Sequence, residues 1–238
     1  MATIADNLQA VKARIGRAAI TARRDPAAVT LLAVSKTHPV ALIEEARAAG
    51  QRAFGENYVQ EALEKMDAMG SGEQGAQRLE WHLIGPLQSN KTRLAAERFD
   101  WVHTVASEKI AKRLSEQRPS AMAPLNVLIQ VNVSGEASKA GVSPDEVFTL
   151  SQKTGSLKGL RLRGLMAIPE PTDDAGRQRA AFSQVRNLFE ELKSKGLAFD
   201  TLSMGMSDDM ESAIAEGATL VRIGTAIFGQ RNKVRSAA

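Results

Sequence analysis

Lys36 directly follows the apolar run Thr30–Ser35 (TLLAVS), with no spacer between them. A lysine at the end of a buried strand points into a barrel mouth or lies on its rim. Burial there disfavours the ammonium and frees a neutral amine for Schiff-base chemistry. The plain alternative is a solvated loop lysine, and Lys36 alone leaves both open. In the last quarter of the chain two Gly-rich segments also follow apolar runs: Met204–Asp209 (MGMSDD) and Arg222–Gly229 (RIGTAIFG). Gly205 and Gly224 let the backbone approach an oxyanion closely, and Ser207 and Thr225 offer hydroxyls, as in a phosphate cup. Asp208 and Asp209 suit a helix N-cap and first turn better than an anion contact. Arg222, within LVRIG, is a permanent cation at a strand end, with a surface ion pair as its plain alternative.

These residues need a scaffold that brings positions 36 and 222–225 together. Short apolar runs alternate with helical patterns along the whole chain. Runs without polar alternation, the pattern of strands buried on both faces, are read at Thr30–Ser35, Arg52–Phe54, Glu80–Ile84, Trp101–Val105, Leu125–Val133, Leu160–Ile168, Leu202–Met204 and Thr219–Ile223. Helices are read between them: Val40–Ala49 behind Pro39, Tyr58–Met69, Ser89–Glu97, Glu108–Gln117, Pro144 to Lys153, a long one capped by Asp173 or Asp174 and ending near Lys195, and Asp208–Ala215. Ile4, Leu8, Val11 and Ile15 give an amphipathic helix at the N-terminus. Gly70–Gln77 reads as a loop. No long linker divides the chain. Eight βα units predict an α/β fold, a single closed (β/α)8 TIM barrel over residues 1–238, with an extra N-terminal helix within 1–24 and a basic tail at 230–238. An open doubly wound sheet is the competing architecture, and periodicity does not separate the two.

In either fold, polar groups at the carboxyl ends of the strands are the informative ones. A Schiff-base lysine on one side of a mouth and a phosphate cup on the other match pyridoxal 5′-phosphate (PLP). With Arg222 facing the pyridine nitrogen, ring protonation is disfavoured and the ring is a weaker electron sink. Other chemistries fail. The chain has no cysteine, and His38, His82 and His103 show no metal-ligand spacing. His82 and His103 read as satisfied barrel histidines. There is no GxGxxG, GxxxxGK[ST] or GxSxG. The net charge of +4 sits entirely in residues 217–238, which carry Arg222, Arg231, Lys233, Arg235 and no acid. There is thus no basic face for nucleic acid. No apolar run approaches the ~18 residues of a membrane span. A cytoplasmic monomer without nucleic-acid or membrane partners is the expectation, its basic tail drawing phosphorylated ligands toward the mouth.

The segments LLAVSKTHP, FGENYVQEALEK, EWHLIGPLQSNK, LIQVNVSGEASKAGV, LRGLMAIP and LSMGMSDDMESAIAEGATLVRIGTAIFG together resemble the YggS/PROSC family of PLP homeostasis proteins. The resemblance spans about residues 1–230. It implies the barrel of the alanine racemase N-terminal domain, without that enzyme's appended β-domain. It implies that Lys36 carries PLP as an internal aldimine. It further implies that Ser207, Gly224 and Thr225 hold the phosphate, Arg222 faces the pyridine nitrogen, and Asn57 and Met204 line the cofactor. The family binds, stores or delivers PLP, with PLP-dependent apoenzymes as recipients, and lacks robust catalysis. In alanine racemase the opposite-face tyrosine comes from the missing domain, and the sole tyrosine here is Tyr58. The alternative is a minor PLP-dependent amino-acid racemase or lyase. One departure from the family pattern is His38, which stands where a lysine is frequent.

Overall fold

In the computed structural model, residues 2–70, 78–134 and 140–230 are described. The strands are β1 (Thr30–Val34), β2 (Ala53–Glu56), β3 (Glu80–Leu83), β4 (Trp101–Val105), β5 (Leu125–Val131), β6 (Leu160–Ala167), β7 (Thr201–Ser203) and β8 (Leu220–Ile223). They pair in sequence order, all parallel, and β8 returns to β1 to close the barrel, with Thr30 opposite Leu220 and Ala33 opposite Ile223. Closure removes the open doubly wound sheet. Each strand is too short to bury its backbone alone. The ring satisfies the edge groups that an open sheet would leave unpaired.

The helices are α1 (Ile4–Thr21), α2 (Val40–Ala48), α3 (Val59–Met69), α4 (Thr92–Arg98), α5 (Glu108–Gln117), α6 (Pro144–Gly155), α7 (Ala175–Ser194), α8 (Met210–Ala215) and α9 (Thr225–Phe228). Two hydrophobic layers result. Outward strand residues such as Ala33, Phe54, Trp81, Leu83, Val102 and Ile129 pack under the helices in one continuous core. Inside the ring a smaller cluster joins Trp101, Leu128 and Met166. Helix α1 buries Ile4, Leu8, Val11, Ile15 and Ala19, the stripe that the sequence spacing predicts, and opens with a reciprocal Thr3–Asp6 capping box. Its Asn7 Nδ2 donates to Ile227 O at 2.9 Å, tying the first helix to α9. Asp174 caps α7, accepting from Gly176 N and Arg177 N.

Some boundaries differ from expectation. Strand β2 runs on through Gly55 and Glu56, because Gly55 fits against the Leu32 side chain and the Glu56 carboxylate finds buried partners. The helix expected at Ser89–Glu97 begins as a 3-10 turn, Ser89–Lys91, before α4. Helix α8 starts at Met210, so Asp208 lies outside it. Asp209 occupies the cap position but spends its carboxylate on Met206 N at 2.6 Å, closing the loop after β7. The short α9 was hidden within RIGTAIFG. Residues 71–77, 135–139 and the tail 231–238, with Arg231, Lys233 and Arg235, lie outside the described residues. Among the described residues no helix is long and apolar enough to cross a membrane.

Candidate functional site

The carboxyl ends of six strands enclose a cavity of about 210 Å³. Val34, Lys36 and His38 reach it from β1, Asn57 from β2, Ile84 from β3 and Ile168 from β6. Met206, Ser207 and Asp208 follow β7, and Arg222, Gly224 and Thr225 come from β8 and the start of α9. Six of the seven residues singled out from the sequence thus meet around one cavity: Lys36, Asn57, Ser207, Arg222, Gly224 and Thr225. Met204 does not line it; its side chain is fully buried in the core behind the loop after β7. The apolar walls Val34, Ile84, Ile168 and Met206, with Asp208 and the buried His38, complete the lining. Ile168 and Met206 fall within strand-end segments that sequence reading marked, whereas Val34 and Ile84 are apolar strand residues that it left unmarked. Ile168 and Met206, both exposed, mark the rim.

Two glycines set the close approaches. A Cβ on Gly224 would stand 3.1 Å from the Val34 carbonyl oxygen, so the start of α9 lies tight against β1 and next to the Lys36 segment. A Cβ on Gly85 would stand 2.1 Å from the Asn57 carbonyl oxygen. Only glycine lets the loop after β3 pass under Asn57 and hold it at the cavity edge.

Arg222 is inward-facing and 4% exposed. Its NH1 donates to Ser203 O and Ser203 Oγ, both at 2.8 Å, and its NH2 to Ala167 O at 3.0 Å. No carboxylate pairs with it within ion-pair distance among the described residues, so it is not a surface ion pair. Burial pulls its pKa down to about 10, with Asp209 opposing. A buried cation held by neutral acceptors is costly unless something else satisfies it.

Behind Arg222 a chain of hydrogen bonds crosses the barrel interior. Ser203 Oγ lies 3.1 Å from His103 Nδ1. His103 Nε2 lies 2.9 Å from His82 Nδ1, and His82 Nε2 lies 2.6 Å from Glu80 Oε1 at the opposite end of the barrel. One arrangement satisfies every group. Arg222 donates to Ser203, the Ser203 hydroxyl to His103 Nδ1, His103 Nε2–H to His82, and His82 Nε2–H to the Glu80 carboxylate; this assigns the tautomers from the network. Burial, with Arg222 and His82 nearby, holds the His103 pKa well below the usual histidine value. The hydrogen bond from His82 holds Glu80 below the ordinary carboxylate range. His82 also stacks on Trp101, centroids 5.3 Å apart. The histidines are therefore the satisfied barrel histidines that their strand positions indicated, and their link to Arg222 carried no sequence signal. Among the described residues no cluster of His, Cys, Asp and Glu could hold a metal.

A closed parallel barrel with its cavity at the carboxyl end defines a broad class, and comparison narrows it. Residues 4–232 match the family model described as the alanine racemase N-terminal domain. The chain belongs to that family, and within it to the pyridoxal phosphate homeostasis proteins. A protein of that name from Pseudomonas aeruginosa is 59% identical over 232 residues, covering 98% of this chain and 97% of the relative. Another from Escherichia coli is 54% identical, covering 98% of both. Among solved structures, PipY of Synechococcus elongatus with PLP bound superposes with a TM-score of 0.83 at 39% identity, covering 95% of this chain and all of PipY. Alanine racemase from Corynebacterium glutamicum, 20% identical with a TM-score of 0.70, shares the fold, and this chain covers 60% of it.

Proposed function

We propose that this protein binds PLP in the cavity at the carboxyl end of the barrel and serves in PLP homeostasis, holding and releasing the cofactor without robust turnover of its own. The observation that carries the reading is the buried Arg222 guanidinium, aimed at a cavity that also receives Lys36 and the Ser207 and Gly224–Thr225 loops. The donor set fits the cofactor: an amine, a pair of hydroxyls beside close-approaching backbone, and a buried cation with no carboxylate partner among the described residues. When bound, PLP supplies an aldehyde reactive toward amines, a phosphate and a pyridine ring.

The chain's residues divide those parts. Lys36 is the amine that anchors the aldehyde. Ser207, Gly224 and Thr225 hold the phosphate, and the tightness of Gly224 against Val34 places both anchors on adjacent strands. Arg222, held charged by the Ser203 and Ala167 acceptors, faces the ring nitrogen and disfavours its protonation. Asn57 lies at the cavity edge, and Met204 backs the β7 loop from the core. Tyr58 sits at the head of α3, is 59% exposed, and is not among the cavity lining. PLP-dependent apoenzymes are the recipients of the released cofactor.

The test is spectroscopic and then chemical. Purified protein titrated with PLP develops a visible absorbance band, and borohydride reduction followed by peptide mapping fixes the cofactor on Lys36. Lys36→Ala loses the band; a band that persists unchanged sinks the assignment. Turnover of a panel of amino acids above that of free PLP overturns the carrier reading in favour of an enzyme.

A further inference from the structure

A buried ion cluster lies beside the Lys36 segment and takes no part in the cavity. Lys65, 5% exposed on α3, donates from Nζ to Glu56 Oε1 at 2.8 Å, Glu61 Oε1 at 2.6 Å and Ser35 O at 2.8 Å. Ser35 Oγ donates to Glu56 Oε1 at 2.6 Å. Thr37 N donates to Glu61 Oε1 at 2.5 Å. The two residues that flank Lys36 are therefore each bonded to this one cluster, Ser35 through its carbonyl and hydroxyl and Thr37 through its amide.

We propose that Glu56, Lys65 and Glu61 form a positioning triad for Lys36, clamping Ser35 and Thr37 so that the amine between them is presented to the cavity. The inference rests on the reading of Lys36 as the anchoring amine. Two further observations favour positioning over bulk stability. Thr37 adopts φ +63, a left-handed conformation that a β-branched residue rarely holds. Such strain persists only where surrounding structure imposes it, and two restraints are visible: the turn bond from His38 N to Ser35 O at 3.1 Å and the Glu61 carboxylate on the Thr37 amide, which ties that turn to the cluster. In addition, Glu56 Oε2 is buried with no hydrogen-bond partner. A cluster that leaves a carboxylate oxygen unsatisfied is a poor stabiliser, since apolar side chains of similar volume do as well or better. Leu63 and Met66 on the same helix are such side chains.

The experiment uses the full chain in ligand-free and PLP-loaded form. Trinitrobenzenesulfonate labelling of Lys36 in the ligand-free protein, followed by peptide mapping across pH, reads the amine's presentation without the cofactor. PLP titration by visible absorbance reads affinity, and thermal unfolding reads stability. Glu61→Ala and Lys65→Met each move the pH profile of Lys36 labelling and weaken PLP binding by roughly tenfold or more, the size of a lost charged hydrogen bond. Adding Thr37→Gly to Glu61→Ala restores most of that affinity, because glycine holds the left-handed conformation unaided. Should Lys65→Met fail to fold, Glu61→Ala and its rescue decide alone. PLP affinity within about twofold of the parent and an unchanged Lys36 pH profile overturn the triad. A visible band that survives Lys36→Ala overturns the anchor reading instead, while the labelling profile still reports on the clamp.

Discussion

Acidification tests the hydrogen-bond chain behind Arg222, with His103→Gln as the perturbation. His103 is fully buried and neutral in the native protein, its pKa held well below the usual histidine value by burial first and by His82 and Arg222 next. The unfolded chain binds a proton near pH ~6.5 and the native chain does not. The His103 contribution to stability is thus complete above the unfolded pKa and is withdrawn as pH falls from there toward the depressed native value. Over the pH range in which the unfolded imidazole is protonated and the native one is not, each pH unit of acidification removes up to about 1.4 kcal/mol. For a urea slope of ~2 kcal/mol/M, that moves the denaturation midpoint down by up to about 0.7 M per pH unit. Glutamine keeps a donor toward His82 but cannot titrate. The variant starts less stable because Ser203 loses an acceptor, and the gap to the parent narrows on acidification. Glu56, pushed up by burial, slopes the other way: its contribution falls as pH rises above ~4.5. That term is common to both proteins and cancels in the difference. Equal pH slopes for parent and variant refute a neutral, buried His103 and the tautomer chain with it.

Two further outcomes follow from the geometry. Gly85→Ala drives a methyl into the Asn57 carbonyl. Such backbone overpacking costs about 1–3 kcal/mol, and displacement of Asn57 from the cavity edge weakens PLP binding, read by the visible titration; a variant as stable and as tight as the parent contradicts the close approach. Asp174→Ala removes the cap that receives Gly176 N and Arg177 N. It lowers stability by about 1 kcal/mol with PLP affinity unchanged, so a large loss of affinity there refutes the separation of α7 from the site.

The strand pattern was legible because parallel strands buried on both faces read as unbroken apolar runs, and Trp101–Val105 was bounded to the residue. Closure was not legible: an open sheet needs the same runs, and only the pairing of β1 with β8 decides. Strand β2 was read short because Glu56 looks like a loop residue until its buried partners are seen. In the site, Lys36, Ser207, Gly224 and Thr225 announced themselves by type at strand ends. Asp208 was read as helix cap because one residue of helix onset separates a cap from a cavity wall. The chain from Arg222 to Glu80 links β8, β7, β4 and β3, and no local spacing records which inward residues of different strands touch. The Lys65 cluster was hidden for the same reason. On α3 its lysine is one more charged residue at helical spacing, and only the fold buries it.

The pairing of the first strand with the last has a consequence for biosynthesis. The proposed anchor follows β1, while the cup that would grip the phosphate follows β8, and these strands become neighbours only when the ring closes. A nascent chain exposes its Lys36 amine long before residues 222–225 leave the ribosome. On the proposed reading, retention of the cofactor would mark a finished barrel, and the tie from Asn7 to Ile227 draws the earliest helix into that final seal.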